Sequence, residues 1–227
     1  MFFVRMAYLY LCLLISTNVV SATNQDINLT RFSSGELSSW EEKSFLGNTR
    51  YQITELDNRF VLKAHSDSSA SGLAIEQKID LLSTPYMSWS WLTKSRMLNL
   101  DEHSKEGDDY VARIYVVKKN GWFIWQTKAI NYVWSSNQPK ESQWPNAYAG
   151  DKAQMIAIRG TESNLNQWYD EKRNVYNDFI ELFGDKGSDE ENQKAYRYID
   201  MIAIMTDTDN GKQEALSYYG DIIFSEQ

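Results

Sequence analysis

Cysteine and histidine are scarce in this sequence, and their scarcity restricts the chemistry that the protein can perform. The 227 residues include one cysteine, Cys12, and two histidines, His65 and His103. A disulfide needs two cysteines, and a histidine-rich metal site needs more imidazoles than these. The motifs of serine hydrolases, zinc proteases and phosphate-binding loops are also absent. Carboxylate chemistry remains the main candidate for catalysis, no catalytic residue stands out, and no organic cofactor is indicated.

The sequence has no hydrophobic run of the roughly 20 residues that a membrane-spanning helix needs. The apolar stretch Met6 to Ile15 follows Arg5 and precedes the small residues Val20-Ser21-Ala22. This order predicts a cleaved signal peptide over residues 1–22 and a bacterial protein exported to the periplasm or secreted, with a permanent anchor as the alternative. Because Cys12 leaves with the signal peptide, the mature chain has no thiol.

Basic residues are outnumbered by acidic ones, 23 to 31, which gives a net charge of −8. Loss of Arg5 with the signal peptide makes the mature charge −9. Phosphates would be repelled, so nucleic acid and anionic lipid are disfavoured as partners. Residues 23–227 have the size of a single domain, and nothing in them indicates the oligomeric state.

Short segments of β-type composition, separated by turn residues, make up most of the chain. Tyr86 to Trp91 alternates most clearly, with Met87, Trp89 and Trp91 on one face. The other predicted strands are Arg50–Thr54, Arg59–Ala64, Leu73–Leu81, Tyr110–Val117, Trp122–Trp134, Met155–Ile158, Ile199–Met205 and Asp221–Phe224. This pattern predicts a mainly β fold, a β-sandwich of jelly-roll type.

One segment has helical periodicity. Apolar residues between Asn166 and Phe183 recur at spacings of three, four and seven, and Gly184 follows them. These features predict one substantial helix packed on or beside a sheet. Within that helix Arg173 lies among carboxylates, which indicates a structural ion pair or, as the alternative, a ligand contact.

Aromatic residues and amides are concentrated between residues 122 and 148. A flat ring can stack on the apolar face of a sugar, and a neighbouring amide can bond its hydroxyls. Packing in the core is the alternative for each ring, because tryptophan is mostly buried. The candidates for ligand binding in this stretch are Trp122, Trp125, Asn131, Trp134, Trp144 and Tyr148.

Two acidic segments are candidates for a ligand or metal site. Asp108 and Asp109 precede Arg113 in a predicted central strand, where they either form an ordinary turn or contact a cation or a sugar. Asp207 and Asp209 alternate in a turn that ends at Gly211, and Asp221 is placed with them as a third candidate metal ligand. Calcium binds such oxygens, but the segment supplies about half of the six to eight it requires. A solvated acidic turn is the alternative.

Several motifs, taken in order, resemble a bacterial exported family known as domain of unknown function 3047. They are Phe32–Trp40, Trp89-Ser90-Trp91, Gly107–Arg113, Asn131–Trp134, Arg173-Asn174-Val175, Phe183-Gly184, Met205–Asn210 and Tyr219–Ile222. The resemblance covers nearly all of the mature chain. It implies an outline similar to jelly-roll carbohydrate-binding modules and a role for Asp108, Asp109, Arg173, Asp207 and Asp209, without assigning an activity.

These observations lead to three functional hypotheses. The first is an exported protein that binds a polysaccharide or cell-envelope glycan through exposed aromatics and carboxylates, with or without structural calcium. The second is a carboxylate-dependent glycoside hydrolase or lyase that uses two residues among Asp108, Asp109, Glu171, Asp207 and Asp209. The third is a protein-interaction module of the cell envelope.

Overall fold

The computed structural model describes residues 26–119 and 127–227. Their strands, in chain order, are β1 (Ile27–Asn28), β2 (Glu41–Leu46), β3 (Arg50–Leu56), β4 (Arg59–Asp67), β5 (Ala70–Asp80), β6 (Tyr86–Thr93), β7 (Ala112–Lys118), β8 (Lys128–Trp134), β9 (Gln143–Asn146), β10 (Gly150–Arg159), β11 (Tyr169–Asn174), β12 (Tyr198–Met205), β13 (Glu214–Tyr219) and β14 (Ile223–Ser225). The helices are α1 (Val175–Phe183) and α2 (Asp189–Tyr196), with 3₁₀ turns at Phe32–Ser34 and Lys105–Gly107.

Two seven-stranded sheets contain all of these strands. In the first sheet, β6 pairs with β11 along one edge, while β14 and β13 share its other edge. Strand β13 continues to β4 and β3, and β14 continues to β1. The second sheet has the order β2-β5-β12-β7-β8-β10-β9. Its pairs are antiparallel except β8 and β10, which run parallel.

The core lies between the two sheets and is rich in aromatic rings. Trp89 and Trp91 of β6 pack edge to face at 5.4 Å between ring centroids. Trp89 stacks on Tyr132 of β8 at 5.5 Å, and Trp91 contacts Trp134 at 5.8 Å. The face predicted for β6 is therefore confirmed, and so is the mainly β sandwich.

The predicted helix is correct only in its second half. Residues 169–174 form β11 and pair with β6, and α1 begins at Val175. The Asn174 side chain accepts a hydrogen bond from the Asn177 backbone nitrogen and caps the helix. A second helix, α2, was not predicted. Its cap is Ser188, whose hydroxyl accepts from the Glu191 nitrogen.

The second sheet also carries a small apolar cluster on the face that points away from the core. It consists of Tyr110, Val133, Trp144, Met155 and Ala157. Side chains alternate along a strand, so neighbouring residues such as Tyr132 and Ile156 face the core instead. This outer face is sheltered by loops, and it is where the pocket described below lies.

Among residues 26–119 and 127–227, none of the helices is long and apolar enough to cross a membrane. The predicted signal peptide, residues 1–22, lies outside the described residues, as do Trp122 and Trp125.

Candidate functional site

A pocket of about 420 Å³ opens on the outer face of the second sheet. Its floor includes Arg113 and Tyr115 of β7, Asn131 of β8 and Met205 at the end of β12. Asn131 lies directly opposite Tyr115 in the β7–β8 register, and Arg113 is two residues from Tyr115, so the three side chains share a face. Positions far apart in sequence thus form one surface.

The loop before β7 forms one wall of the pocket. It begins at Gly107, where a methyl group would overlap the backbone of Asp101, so only glycine fits. Asp108 accepts a hydrogen bond from the Asn146 side-chain nitrogen at 3.0 Å and lies 3.5 Å from an Arg113 nitrogen. Asp108 therefore links this loop to β7 and to the end of β9.

Asp109 points to the turn that follows β12. Its two carboxylate oxygens accept hydrogen bonds from the backbone nitrogens of Asn210, at 3.1 Å, and Gly211, at 2.6 Å. The turn is also anchored by Thr208, whose backbone nitrogen donates to the Ser69 carbonyl at 2.9 Å. The adjacent residues Asp108 and Asp109 therefore form hydrogen bonds with two different parts of the site.

Asp207 forms a buried ion pair with Arg113. The Arg113 guanidinium also lies over the rings of Tyr110 and Tyr115, 4.6 and 5.0 Å from their centroids. Burial alone lowers the pKa of Arg113, but Asp207, Tyr115 and Asp108 outweigh burial and raise it well above its usual value. Arg113 therefore remains a cation in the floor of the pocket.

Negative charge exceeds positive charge at the site. Burial raises the pKa of Asp207 well above its ordinary value, and Asp109, Asp108 and Asp209 raise it further against the opposing effect of Arg113. Burial also raises the pKa of Asp109, despite the two backbone hydrogen bonds that it accepts. Mutual repulsion of these carboxylates favours a proton or a cation between them.

Three of the acids form a compact group. One carboxylate oxygen from each of Asp109, Asp207 and Asp209 lies within 4.8 Å of the others, so the group could hold a metal ion. The structure does not bring Asp221 to this group. Asp221 instead accepts hydrogen bonds from Asn28, Thr30 and Ser33, and those contacts lower its pKa despite burial. Asp221 fastens the amino-terminal segment to the sheet.

Aromatic residues lie at the rim of the pocket. Tyr148, in the turn between β9 and β10, is 59% exposed, and Phe45 of β2 is 75% exposed. The Tyr148 hydroxyl donates to the Lys105 carbonyl at 3.1 Å and accepts from the Asn210 side chain at 3.2 Å. Tyr148 therefore joins three loops while its ring stays accessible.

Three of the predicted ligand-binding residues lie elsewhere. Trp134 is 1% exposed and packs on Trp91 in the core, so its ring has no free face. Trp144 is buried in the outer cluster, where its indole nitrogen donates to the Glu102 carbonyl. Arg173 pairs with Asp178 and Glu141 beside α1, as the ion-pair interpretation expected. Glu171 bonds Arg159 and Trp91, so it also has a structural partner.

The pocket residues that were not among the predicted site residues include Phe45, Tyr115, Asn146 and Met205. Tyr115 was predictable, because side chains alternate along a strand and this places Tyr115 on the same face of β7 as Arg113. Asn146 follows Trp144 by the same spacing. No local pattern marks Phe45, since β2 was not predicted.

Two polar side chains of the floor have atoms without partners. Both polar atoms of the Asn131 amide, and Nε of Arg113, are buried and make no hydrogen bond within the part of the chain that the structure describes. Asn131 is only 1% exposed. Buried polar atoms of this kind are rare in folded proteins, because each unmade hydrogen bond costs stability.

The fold and the pocket define a β-sandwich protein with a ligand-sized cavity on the outer face of one sheet, lined by charged, amide, aromatic and apolar side chains. The sequence model of one family, described as protein of unknown function (DUF3047), matches residues 38–223. The chain belongs to this family, which confirms the resemblance of its motifs. No curated protein matches the sequence.

Several solved structures are similar in outline. TmCBM61, solved with β-1,4-galactotriose, is 11% identical, with a TM-score of 0.37, covering 86% of this chain and 94% of that one. A family 30 carbohydrate-binding module of a Clostridium thermocellum cellulosomal cellulase is 10% identical, with a TM-score of 0.43, covering 83% and 92%. The K3 adhesin domain of Porphyromonas gingivalis Lys-gingipain is 11% identical, with a TM-score of 0.42, covering 90% and 99%. At TM-scores below 0.5 these likenesses carry no argument about function.

Proposed function

We propose that this protein binds a polysaccharide or cell-envelope glycan in the pocket on the second sheet. The observation that carries the proposal is the convergence of Asp108, Arg113, Asn131 and Asp209 in one pocket with the exposed side chain of Tyr148. A sugar presents apolar C–H faces and a rim of hydroxyls, so it needs a flat ring beside fixed donors and acceptors. The pocket offers both within one cavity.

The proposed setting of this activity is the periplasm or the external medium. The signal peptide predicted over residues 1–22 directs the protein to the periplasm or the medium, where glycans of the envelope are accessible. Residues 23–227 then act as one β-sandwich domain. A glycan ligand also fits the acidic net charge, since neutral sugars are not repelled by it.

We also propose that Asp109, Asp207 and Asp209 hold a divalent cation, Ca²⁺ in the first place. Hard oxygen ligands suit calcium, and the close approach of three carboxylate oxygens is the supporting observation. Asp109 and Asp207 already bond backbone nitrogens and Arg113, respectively, so Asp209 has the most freedom to bind the ion. The remaining ligands would come from water or from sugar hydroxyls.

Glycoside hydrolysis is the second candidate. A general acid needs a raised pKa, and burial raises the pKa of both Asp109 and Asp207. Asp207 lines the pocket together with Asp108 and Asp209, and Asp109 lies beside Asp207 and Asp209 in the compact group. Two-carboxylate catalysis requires such a pair of acids. Release of reducing sugar that is abolished in Asp207→Asn and Asp109→Asn would favour the enzyme over the binding protein.

Retention on insoluble polysaccharides tests glycan binding. Residues 23–227 would be run through affinity gels that contain a panel of plant and bacterial polysaccharides, as wild type, Tyr148→Ala and Phe60→Ala. Phe60 is a matched control, because it is 48% exposed and lies on β4 of the other sheet. We expect retention by at least one glycan, about tenfold weaker in Tyr148→Ala and unchanged in Phe60→Ala.

A folded protein that no glycan retains would contradict the proposal. Equal loss in both variants would place binding outside the pocket. Copurification of a second protein without any effect of sugars would favour the interaction module instead.

A further inference from the structure

The floor of the pocket displays three polar atoms that nothing in the described residues satisfies. They are the amide oxygen and nitrogen of Asn131 and Nε of Arg113. Arg113 uses its two terminal nitrogens on Asp108 and Asp207, which leaves Nε alone. The set therefore comprises two donors and one acceptor.

A second buried amide, that of Asn192, is used differently. Asn192, also buried, accepts a hydrogen bond from the Lys186 nitrogen and donates one to Asp185. Its role is to hold the turn before α2. Asn131 has no such structural role, so its hydrogen-bonding capacity is available to a molecule that enters the pocket.

The geometry of a primary amide selects among ligand groups. Its oxygen and nitrogen lie side by side, so two adjacent hydroxyls can pair with it, one donating to the oxygen and the other accepting from the nitrogen. A carboxylate offers only acceptors and would leave the amide oxygen unpaired. A vicinal diol therefore satisfies both polar atoms of the Asn131 amide, and either hydroxyl can also accept a hydrogen bond from Nε of Arg113.

The charges of the residues that line the pocket restrict the class of ligand further. Among the charged residues that line the pocket are three carboxylates, Asp108, Asp207 and Asp209, and one guanidinium, Arg113. In the metal-free protein, a uronate, sulfate or phosphate group would add negative charge to this excess in a partly buried space, where like charges repel strongly. A divalent cation bound to Asp207 and Asp209 would offset that repulsion. Neutral hydroxyls instead can donate to the carboxylates.

We infer that Asn131 is a specificity-determining residue that bridges two adjacent hydroxyls of a neutral sugar, and that the pocket rejects anionic glycans when no cation is bound to its carboxylates. This inference rests on the proposed glycan-binding function and narrows it to a ligand class. The required ligand is a neutral sugar residue whose vicinal diol is free of linkages and substituents.

Chemical editing of one polysaccharide tests the ligand class. A neutral polysaccharide that retains the wild type in EDTA would be divided into three samples, all assayed in EDTA so that no bound cation offsets the carboxylates. One is left intact, one is cleaved between adjacent hydroxyls with periodate and reduced with borohydride, and one is oxidised at its primary alcohols to uronates. We expect the two modified samples to retain the protein about tenfold more weakly or worse than the intact sample.

The variant Asn131→Leu tests the residue. Leucine has the same number and branching of side-chain heavy atoms as asparagine but cannot form hydrogen bonds, and circular dichroism and thermal melting would verify the fold. We expect affinity for the intact glycan to fall about tenfold or more, whereas the Phe60→Ala control keeps it.

The outcomes separate the two proposals. Equal binding of the diol-cleaved or uronate sample, or full affinity in a folded Asn131→Leu, overturns the inference and leaves glycan binding intact. Absence of binding to every intact glycan overturns the proposed function, and the inference with it. If Asn131→Leu failed to fold, the two modified polysaccharides would still decide the ligand class with the wild-type protein.

Discussion

Arg113 in β7 and Asp207, two residues beyond the end of β12, form an ion pair in which both side chains are almost completely buried. Each group has lost its hydration, and each compensates the charge of the other. The pair joins two neighbouring strands at the floor of the pocket. It is therefore a structural element of the fold as well as part of the candidate site.

Removal of one partner should be severely destabilising. We expect Arg113→Met or Asp207→Leu to lower the free energy of unfolding by about 3–5 kcal/mol, because the remaining group stays buried without its partner. The double variant Arg113→Met with Asp207→Leu should lose less than the sum of the single changes. Urea unfolding would measure all three. Lys194→Met breaks the exposed pair with Glu191 and should have no detectable effect. Additive losses in the double variant would contradict the coupling.

Asn131→Leu should stabilise the protein. The wild-type amide is buried with two unpartnered atoms, and each such group costs about 1–3 kcal/mol. Leucine removes that cost, so we expect a higher melting temperature. Asn192→Leu is the matched control, because it deletes two hydrogen bonds and should melt at a lower temperature. A lower melting temperature for Asn131→Leu as well would mean that the amide has a structural role.

Two acids should affect stability in opposite directions as pH changes. The folded pKa of Asp221 is lowered, so its contribution is present above the ordinary value of 3.8 and is lost as pH falls through the folded value. The folded pKa of Asp109 is raised, so its contribution is full below 3.8 and is lost as pH rises through the folded value.

Substitution by asparagine makes these contributions measurable. Between about pH 3 and pH 7, the stability advantage of wild type over Asp221→Asn should grow, while that over Asp109→Asn should shrink. Chemical unfolding at each pH would give both differences. If the stability difference from wild type changed with pH in the same direction for both variants, the assigned directions of the two pKa shifts would be wrong.

Calcium should stabilise the protein through the three clustered acids. At a hundredfold excess over its dissociation constant, an ion that binds only the folded state adds about 2.7 kcal/mol, which corresponds to several degrees in Tm. Melting in EDTA, Ca²⁺ and Mg²⁺ would show it, with the gain absent in Asp209→Asn and retained in Asp221→Asn. Elemental analysis would establish whether metal survives chelation. Identical melting in all buffers, with no metal found, would mean that the segment is an acidic turn that binds no metal.

The sequence predicted the sandwich because alternation is a local signal. Trp89 and Trp91 of β6 indicate a strand with one buried face, and this pattern does not depend on which strand lies next to it. Residues 169–174 were misassigned because their state depends on pairing with residues 86–91, far away in sequence. The boundary was nevertheless visible at Asn174, a residue type that favours the cap of a helix.

The sequence indicated which residue types form the candidate site, but not which individual residues come together there. Asp207 and Asp109 belong together through contacts that span about a hundred residues, as in the bond from the Gly211 nitrogen to Asp109. Burial separates Trp134 from Tyr148, although both are aromatic and lie close in sequence. Composition cannot make that distinction, because it depends on which side of a sheet each residue faces.

The position of β13 has a consequence for how the chain reaches its native state. This strand lies between β4 and β6, although it follows both in sequence by more than a hundred residues. A ribosome releases the amino-terminal strands first, so β4 and β6 stay unjoined until residues 214–219 emerge. Pairing at such separations is slow because a long loop must close. The first sheet is therefore completed only after residues 214–219 have been synthesised, and until then β4 and β6 each have an edge without its native partner strand.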